Sequence, residues 1–434
     1  MQISFYGDDF TGATDALAQY ARFGLRGRLF FKVPAEDDVA TLDEDVIGVA
    51  GIARSLETQK MDREVLPFLR SHLRAARVVQ YKICSTFDSS PTVGSIGHAI
   101  DLARRERFPT PYPVLPAQPH FGRYTLFANH FAAVGVGAAV ERLDRHPTMS
   151  RHPSTPMNEA DLRRVLTTQG VHSAPSFDIT QLRAADAADR LRRVIDEDPR
   201  AIVFDALEDD DLKKIGELIL DLWPREIFAV GSGGLSFAIG NRLGSGRPEE
   251  ETIDEIERLF VVSGSLAQRT GDQIEWAVAN GWGELTVDPR AIDMRDEAVV
   301  DELAERALAI HRSSRRGCIV ASAHGPRAAG GNPVSAAELG TLFGALVLRA
   351  FRSGETRAVL CGGDTSSYAA RATGARALSI ARFIDIAAAL CRLSAEDPQV
   401  DGKHVLLKGG QVGDLRLFEM VRRGAGKTLT ARTS

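Results

Sequence analysis

A chain of 434 residues, 44% hydrophobic and 26% charged, has the composition of a globular protein and the length for two or three domains, since single cores rarely grow past roughly 250–300 residues. A formal net charge of −5 argues against nucleic acid or an anionic membrane as the main partner, and no apolar run approaches the roughly 20 residues of a membrane span. Four scattered cysteines without a CxxC pair (Cys84, Cys318, Cys361, Cys391), and a start with no basic leader, point to a cytoplasmic protein and leave self-association open.

In chain order, short apolar runs predict strands at 3–6, 27–31, 46–50, 78–82, 112–115, 201–205 and 227–230. Helical periodicity begins right after the first strand and recurs at 56–75, 93–107, 159–168 and 185–196. The stretch 142–156 breaks the rhythm with Pro147, Pro153 and Pro156 and carries Arg145, His146, Arg151 and His152. It reads as an ordered insertion or lid, with anion binding as the alternative. The polar, glycine-rich and acidic run 244–251 is the best boundary, giving domains 1–245 and 255–434. Beyond it, strands are expected at 259–263, 318–322, 358–361 and 404–408, with helices at 299–310 and 336–351. The fold class is α/β: two doubly wound, largely parallel-sheet domains with a cleft between them.

The first strand runs into Asp8 and Asp9, then Thr11 and Gly12 and a helix. Ligands of open α/β sheets bind beyond the carboxyl ends of strands, so these carboxylates are placed to meet a small polar molecule. An aspartate there also serves as a helix N-cap, a part that suits Asp8 rather better than Asp9. Arg54, Lys82, Ser85, Thr86 and Arg123 lie just past other strand ends, where a guanidinium or ammonium suits a carboxylated ligand.

The second half has three glycine-rich turns after strands: Ser263-Gly264-Ser265, Gly362-Gly363-Asp364-Thr365 and Lys408-Gly409-Gly410. Such turns bring backbone N–H groups close to phosphate. None is a P-loop, and Gly424-Ala425-Gly426-Lys427-Thr428 lacks the leading glycine. The first turn has no GxGxxG, which counts against a dinucleotide domain and a dehydrogenase or isomerase built on one. His324-Gly325-Pro326-Arg327 suits phosphate or a plain turn, and Gly231-Ser232-Gly233-Gly234 suits nucleotide or close packing. Histidine spacing marks no metal site, so metal ligands stay unassigned.

Taken together, Asp8 to Asp15, Arg54-Ser55, Lys82 with Ser85-Thr86, Gly94 to Gly97, Gly122 to Thr125, Gly231 to Leu235 and the three later turns resemble the four-carbon acid sugar kinases, in order along nearly the whole chain. The resemblance implies an N-terminal domain for an acid sugar, a C-terminal domain for ATP with Mg²⁺, and phosphoryl transfer to a terminal hydroxyl. It makes Asp9, with Asp8 beside it, the catalytic residue. Arg54, Lys82, Ser85, Thr86 and Arg123 would bind the substrate, and Ser263, Gly264, Gly362, Gly363, Asp364, Thr365 and Gly410 the nucleotide. Where the family has Lys-x-Asp-Ser-Thr-x-Arg-Gly, this chain has Cys84 for the acid and Asp88 for the arginine. That exchange implies an altered pocket, open to an oxo-tetronate or a branched acid such as 3-oxo-isoapionate. A two-domain sensor that closes on a sugar acid without catalysis is the rival from another class.

Overall fold

The computed structural model describes residues 1–134, 139–152, 154–223, 226–322, 334–385 and 388–426. The chain divides into two compact units, Met1–Glu249 and Glu250–Ser434. The first contains β1 (Ile3–Gly7), β2 (Gly27–Phe30), β3 (Val46–Ala50), β4 (Val78–Lys82), β5 (Tyr112–Leu115), β6 (Arg123–Leu126), β7 (Asn129–Ala133), β8 (Val140–Arg142), β9 (Ser176–Phe177), β10 (Ala201–Phe204) and β11 (Ile227–Gly231). Eight of them form a parallel arrangement in the order β2-β3-β1-β4-β11-β5-β10-β9. β1, β3, β4 and β11 are buried along their whole length, the signature of a parallel sheet covered on both faces. Tyr6, Val79, Tyr81, Phe108 and Phe228 pack with the helices Thr58–Arg70 and Ile96–Arg105 in one core.

Strand order decides where the site falls. From β1 the chain first fills β2 and β3 on one side, then crosses to β4 on the other, so β1 and β4 flank a topological switch point. Gly7 is in register with both Ala50 and Lys82, which brings three strand ends to one edge. A polar pin supports this edge from inside: buried Gln80 on β4 donates to the carbonyls of Gly231 and Ser232 and accepts from Tyr20 and Ser236. All four of those partners lie on other elements, so the pin ties two helices to the sheet.

The second unit contains β12 (Leu259–Ser263), β13 (Gly283–Thr286), β14 (Gly317–Ala321), β15 (Arg357–Cys361), β16 (Ala375–Asp385), β17 (Ala388–Ala395) and β18 (His404–Lys408), ordered β13-β14-β12-β15-β18-β17-β16. The first five in that order are parallel, and β12/β15 is again a switch point. Its core includes Val261, Ile319, Val359, Leu406, Trp282 and Phe418.

The α/β class with largely parallel sheets therefore holds in both units. Several strands went unread in the sequence. β6, β7 and β8 form a separate antiparallel sheet between the strand read at 112–115 and the insertion read at 142–156. β16 and β17 are antiparallel additions rich in alanine, a weak strand former, and owe their state to pairing with each other and with β18.

Candidate functional site

Backbone hydrogen bonds lace the carboxyl edge of the first unit. The Asp8 N–H donates to the Lys82 carbonyl, and the Arg54 N–H donates to the Asp8 carbonyl. Gly94, at φ +57, lies so close to Arg54 that a Cβ there would fall 2.4 Å from the Arg54 carbonyl oxygen. This explains a glycine that touches no ligand group itself.

The side chains then converge. Arg54 Nη2 donates to Asp8 Oδ1 at 2.6 Å and to Asp9 Oδ1 at 2.5 Å, while Nε reaches Asp8 Oδ2 at 3.2 Å. Asp9, not Asp8, is the N-cap of the helix Phe10–Ala21, accepting from the Gly12 N–H at 3.1 Å. The cap preference for Asp8 is thus corrected: the turn comes one residue later, and Asp8 is left buried at 2% exposure against Arg54. Burial pushes the Asp8 carboxyl up to about 6, with Arg54 and Lys82 opposing and Asp9 adding to the rise. Lys82, also 2% exposed, donates to the Ile83 carbonyl at 2.9 Å, its one protein acceptor among the described residues. A Cβ on Gly12 would lie 2.3 Å from Asp9 Oδ1 and 2.9 Å from Lys82 Nζ, so glycine is what lets this cation and carboxylate share the helix start.

The segment after β4 curls back toward this group. Phe87 takes φ +58 with its ring fully buried, and the turn leaves Asp88 within electrostatic reach of Arg54 and Asp9. Burial holds the Asp88 carboxyl above its ordinary value, and burial likewise raises the Cys84 thiol. Ser85 is held from behind by His130, whose Nε2 lies 2.7 Å from the Ser85 carbonyl and whose Nδ1 lies 3.0 Å from Thr125 Oγ1. Burial lowers this imidazole to about 4, so it is neutral and works as a strut. Thr86 is buried and its hydroxyl meets Cys84 Sγ at 2.9 Å. Arg123 is engaged differently: Nη1 donates to the carbonyls of Phe121, Gly122 and Ala133, which clamps its own turn.

The sequence reading missed His130 and Thr155, and named His152 only as part of an insertion open to anion binding; all three approach the strand edge from the insertion and the small sheet. No local pattern marks them, because their partners lie 45 to 67 residues away. In the same insertion His146 is buried and structural, accepting from the N–H groups of Thr148 and Met149, and Arg142 pairs with Asp144. The glycines 231, 233 and 234 serve close packing: added Cβ atoms would meet the Leu115 carbonyl, Asp15 Oδ2 and the Ala117 carbonyl at 2.5, 2.3 and 1.8 Å. A pocket lined by Arg74, Arg77, Trp223 and Glu226 opens at the opposite, amino-terminal edge of this sheet.

In the second unit the three glycine turns meet at the β12/β15 edge. A Cβ on Gly264 would lie 2.7 Å from Thr365 Cγ2, one on Gly362 3.2 Å from the Ser265 nitrogen, and one on Gly410 2.8 Å from Ser265 Oγ. Gly362 caps the helix Gly363–Ala372 with φ +110 and ψ 120, a conformation open to glycine. Beneath the third turn, Lys408 Nζ and Thr270 Oγ1 donate to the Gly410 carbonyl, and Gln273 Nε2 donates to those of Val412, Gly413 and Asp414. Drawing the Gly410 and Val412 carbonyls inward turns the N–H groups of Gln411 and Gly413 the other way, as an anion cradle requires, while the Asp414 N–H donates to Asp385 Oδ2. Lys408 is 1% exposed, and burial lowers its ammonium. Ser263 Oγ and Ser322 Oγ are buried without a protein partner among the described residues. Asp364 and Thr365 sit in the first turn of the helix. Among the described residues no three His, Cys, Asp or Glu side chains gather as a metal site. Gly424 ends the last helix at φ +62, and residues 323–333 and 427–434, which include His324, Arg327, Lys427 and Thr428, lie outside the described residues.

Cations and carboxylates meet at one switch point and three glycine turns at another, a division that suits a small-molecule phosphotransferase. Residues 3–239 match a family described as a sugar-binding N-terminal domain, and residues 260–418 one described as a nucleotide-binding C-terminal domain. A 3-oxo-isoapionate kinase of Paraburkholderia graminis is 39% identical, over 97% of this chain and 94% of its own. A 3-oxo-tetronate kinase of Methylobacterium radiotolerans is 32% identical, over 95% and 96%. A solved Salmonella typhimurium LT2 structure, described as a tRNA synthase, shares the fold with a TM-score of 0.83 at 23% identity, over 98% of this chain and 99% of that one. The chain belongs to the four-carbon acid sugar kinase family and is an ATP-dependent kinase.

Proposed function

We propose that this kinase passes the γ-phosphoryl group of Mg-ATP to a terminal hydroxyl of a short oxo sugar acid, with 3-oxo-isoapionate the first acceptor to test. The observation that carries the reading is the Asp8–Arg54–Asp9 group beside Lys82 at a strand switch point. Asp9 orients the acceptor hydroxyl and takes its proton as the oxygen bonds to the γ-phosphorus and the bond to the β-phosphate oxygen breaks, releasing ADP. Asp8 and Arg54 fix the position of Asp9. Lys82 and Arg54 Nη1 meet the acceptor's carboxylate, Ser85 and Thr86 line its hydroxyls, and Arg123 holds the neighbouring turn. Ser263, Gly264, Gly362, Gly363, Asp364, Thr365 and Gly410 hold the nucleotide.

Magnesium fits this arrangement as a companion of ATP. It keeps several waters and binds through one or two carboxylates plus phosphate oxygens, so it needs no cage of protein ligands. Asp364, in the first turn of the helix at the cradle, would be the carboxylate to join it. A chain with four free thiols and three of them buried suits the reducing cytoplasm.

The deciding assay is ADP release with Mg-ATP against erythronate, threonate, their 2- and 3-oxo forms and branched five-carbon acids. Turnover confined to one oxo acid establishes the acceptor. Binding of a sugar acid with no ATP-dependent turnover of any panel member would overturn this acceptor class.

A further inference from the structure

Asp88, Thr155 and His152 form a polar group that the transfer chemistry does not use. Thr155 is 2% exposed, and its hydroxyl lies 3.4 Å from Asp88 Oδ1 and 2.8 Å from His152 Nδ1. The Thr155 backbone N–H donates to the same Nδ1 at 3.1 Å. An imidazole nitrogen that accepts an N–H carries no proton, so the proton of the neutral ring is on Nε2. His152 thus offers an N–H donor on the side away from Thr155, with no protein acceptor for it among the described residues.

Asp88 is the complement. Its Oδ1 lies 3.4 Å from the Thr155 hydroxyl, whose one proton goes to His152 Nδ1, and its Oδ2 has no donor among the described residues although the side chain is only partly exposed. A carboxylate in that state is under-satisfied and favours a donor from a ligand. It lies within electrostatic reach of Arg54, His152 and Asp9, so it borders the site. A negative group here repels the acceptor's carboxylate, which leaves the neutral end of the acceptor for this wall.

Resting on the kinase reading, we propose that His152 and Asp88, braced by Thr155, read a hydroxy-ketone unit: the ketone oxygen accepts from His152 Nε2–H, and an adjacent hydroxyl donates to Asp88 Oδ2. Reducing the ketone replaces a planar, acceptor-only oxygen by a tetrahedral hydroxyl, which moves the accepting lone pairs off the line of His152 Nε2–H. The insertion therefore selects oxo acids over their reduced counterparts.

Calorimetric binding without nucleotide tests this separately from turnover. The probes are 3-oxo-isoapionate and 3-oxo-tetronate, each against its reduced parent acid. The wild-type chain should bind each oxo acid about 10-fold tighter than its parent. His152→Asn keeps an acceptor for the Thr155 N–H but removes the distal donor, so it should erase most of that ratio while leaving parent binding within about 2-fold. Asp88→Asn should weaken both oxo acids about 10-fold or more and leave ATP binding unchanged. Equal wild-type affinity for oxo and reduced acids, or an intact ratio in folded His152→Asn, overturns the proposal. Preserved discrimination in binding with no ADP release in the turnover assay would overturn the proposed acceptor class and leave this binding assignment standing.

Discussion

At the residue scale, the paired aspartates are not equivalent. Asp9 is half-buried, caps a helix and has one oxygen shared with Arg54, whereas Asp8 is sealed behind it. Asparagine caps helices as well as aspartate, so Asp9→Asn should keep its melting temperature within a few degrees while kcat falls about 100-fold or more. A folded variant with normal kcat removes Asp9 from the chemistry. Arg54→Ala strands the buried Asp8 carboxylate, which should cost about 3 kcal/mol in urea unfolding and raise the acceptor KM. An unchanged KM would take Arg54 out of the acceptor site.

Asp8 also sets a pH dependence. Its carboxyl, pushed up to about 6, takes a proton as the medium is acidified and then gives Arg54 one anionic partner fewer. The kcat/KM profile should therefore show an acid limb with an apparent pKa near 6, and a flat profile down to pH ~5 would refute this. The stability sign is opposite for two groups. Asp8 has its native value raised, so its contribution favours folding at low pH and fades as pH climbs through about 6. His130 has its native value lowered to about 4, so the unfolded chain binds the proton first and its contribution is lost as pH falls from the ordinary histidine range toward 4. Between those limits the two offset each other.

At the element scale, the candidate site residues lie where strands end rather than in any one element. Each switch point gathers three strand ends, and glycines let their turns touch. Gly362→Ala would force a side chain into φ +110 at a cost of about 1–3 kcal/mol. The KM for ATP should rise about 10-fold with acceptor binding unaltered, since the distortion is confined to the cradle. An unchanged ATP KM would mean that the turn does not touch the nucleotide. The small sheet β6-β7-β8 is an element of support: its Thr125 and His130 brace Ser85, and Arg123 at its start clamps a turn.

At the scale of the whole molecule, each unit carries its own apolar core and its own switch point. Ligands that bind a native unit stabilise it by mass action, about 2.7 kcal/mol at a hundredfold excess over Kd. Scanning calorimetry should then show Mg-ATP raising the transition of the second unit and the acceptor that of the first. Equal shifts of one shared transition would show that the units unfold together.

How much of this was legible in the sequence depends on range. Buried parallel strands are continuous apolar runs, so β1, β3, β4, β5 and β12 could be read from residues alone. The glycine turns and the aspartate pair follow those strands directly, which placed them at one sheet edge without knowledge of the fold. Local turn geometry already decided which aspartate caps the helix, and the residues did not reveal it. The pairing of Arg54 with both aspartates, the strut from His130, and the approach of His152 and Thr155 to Asp88 were decided by tertiary structure. Those contacts join segments 45 to 67 residues apart, and no short-range pattern encodes the packing that brings them together.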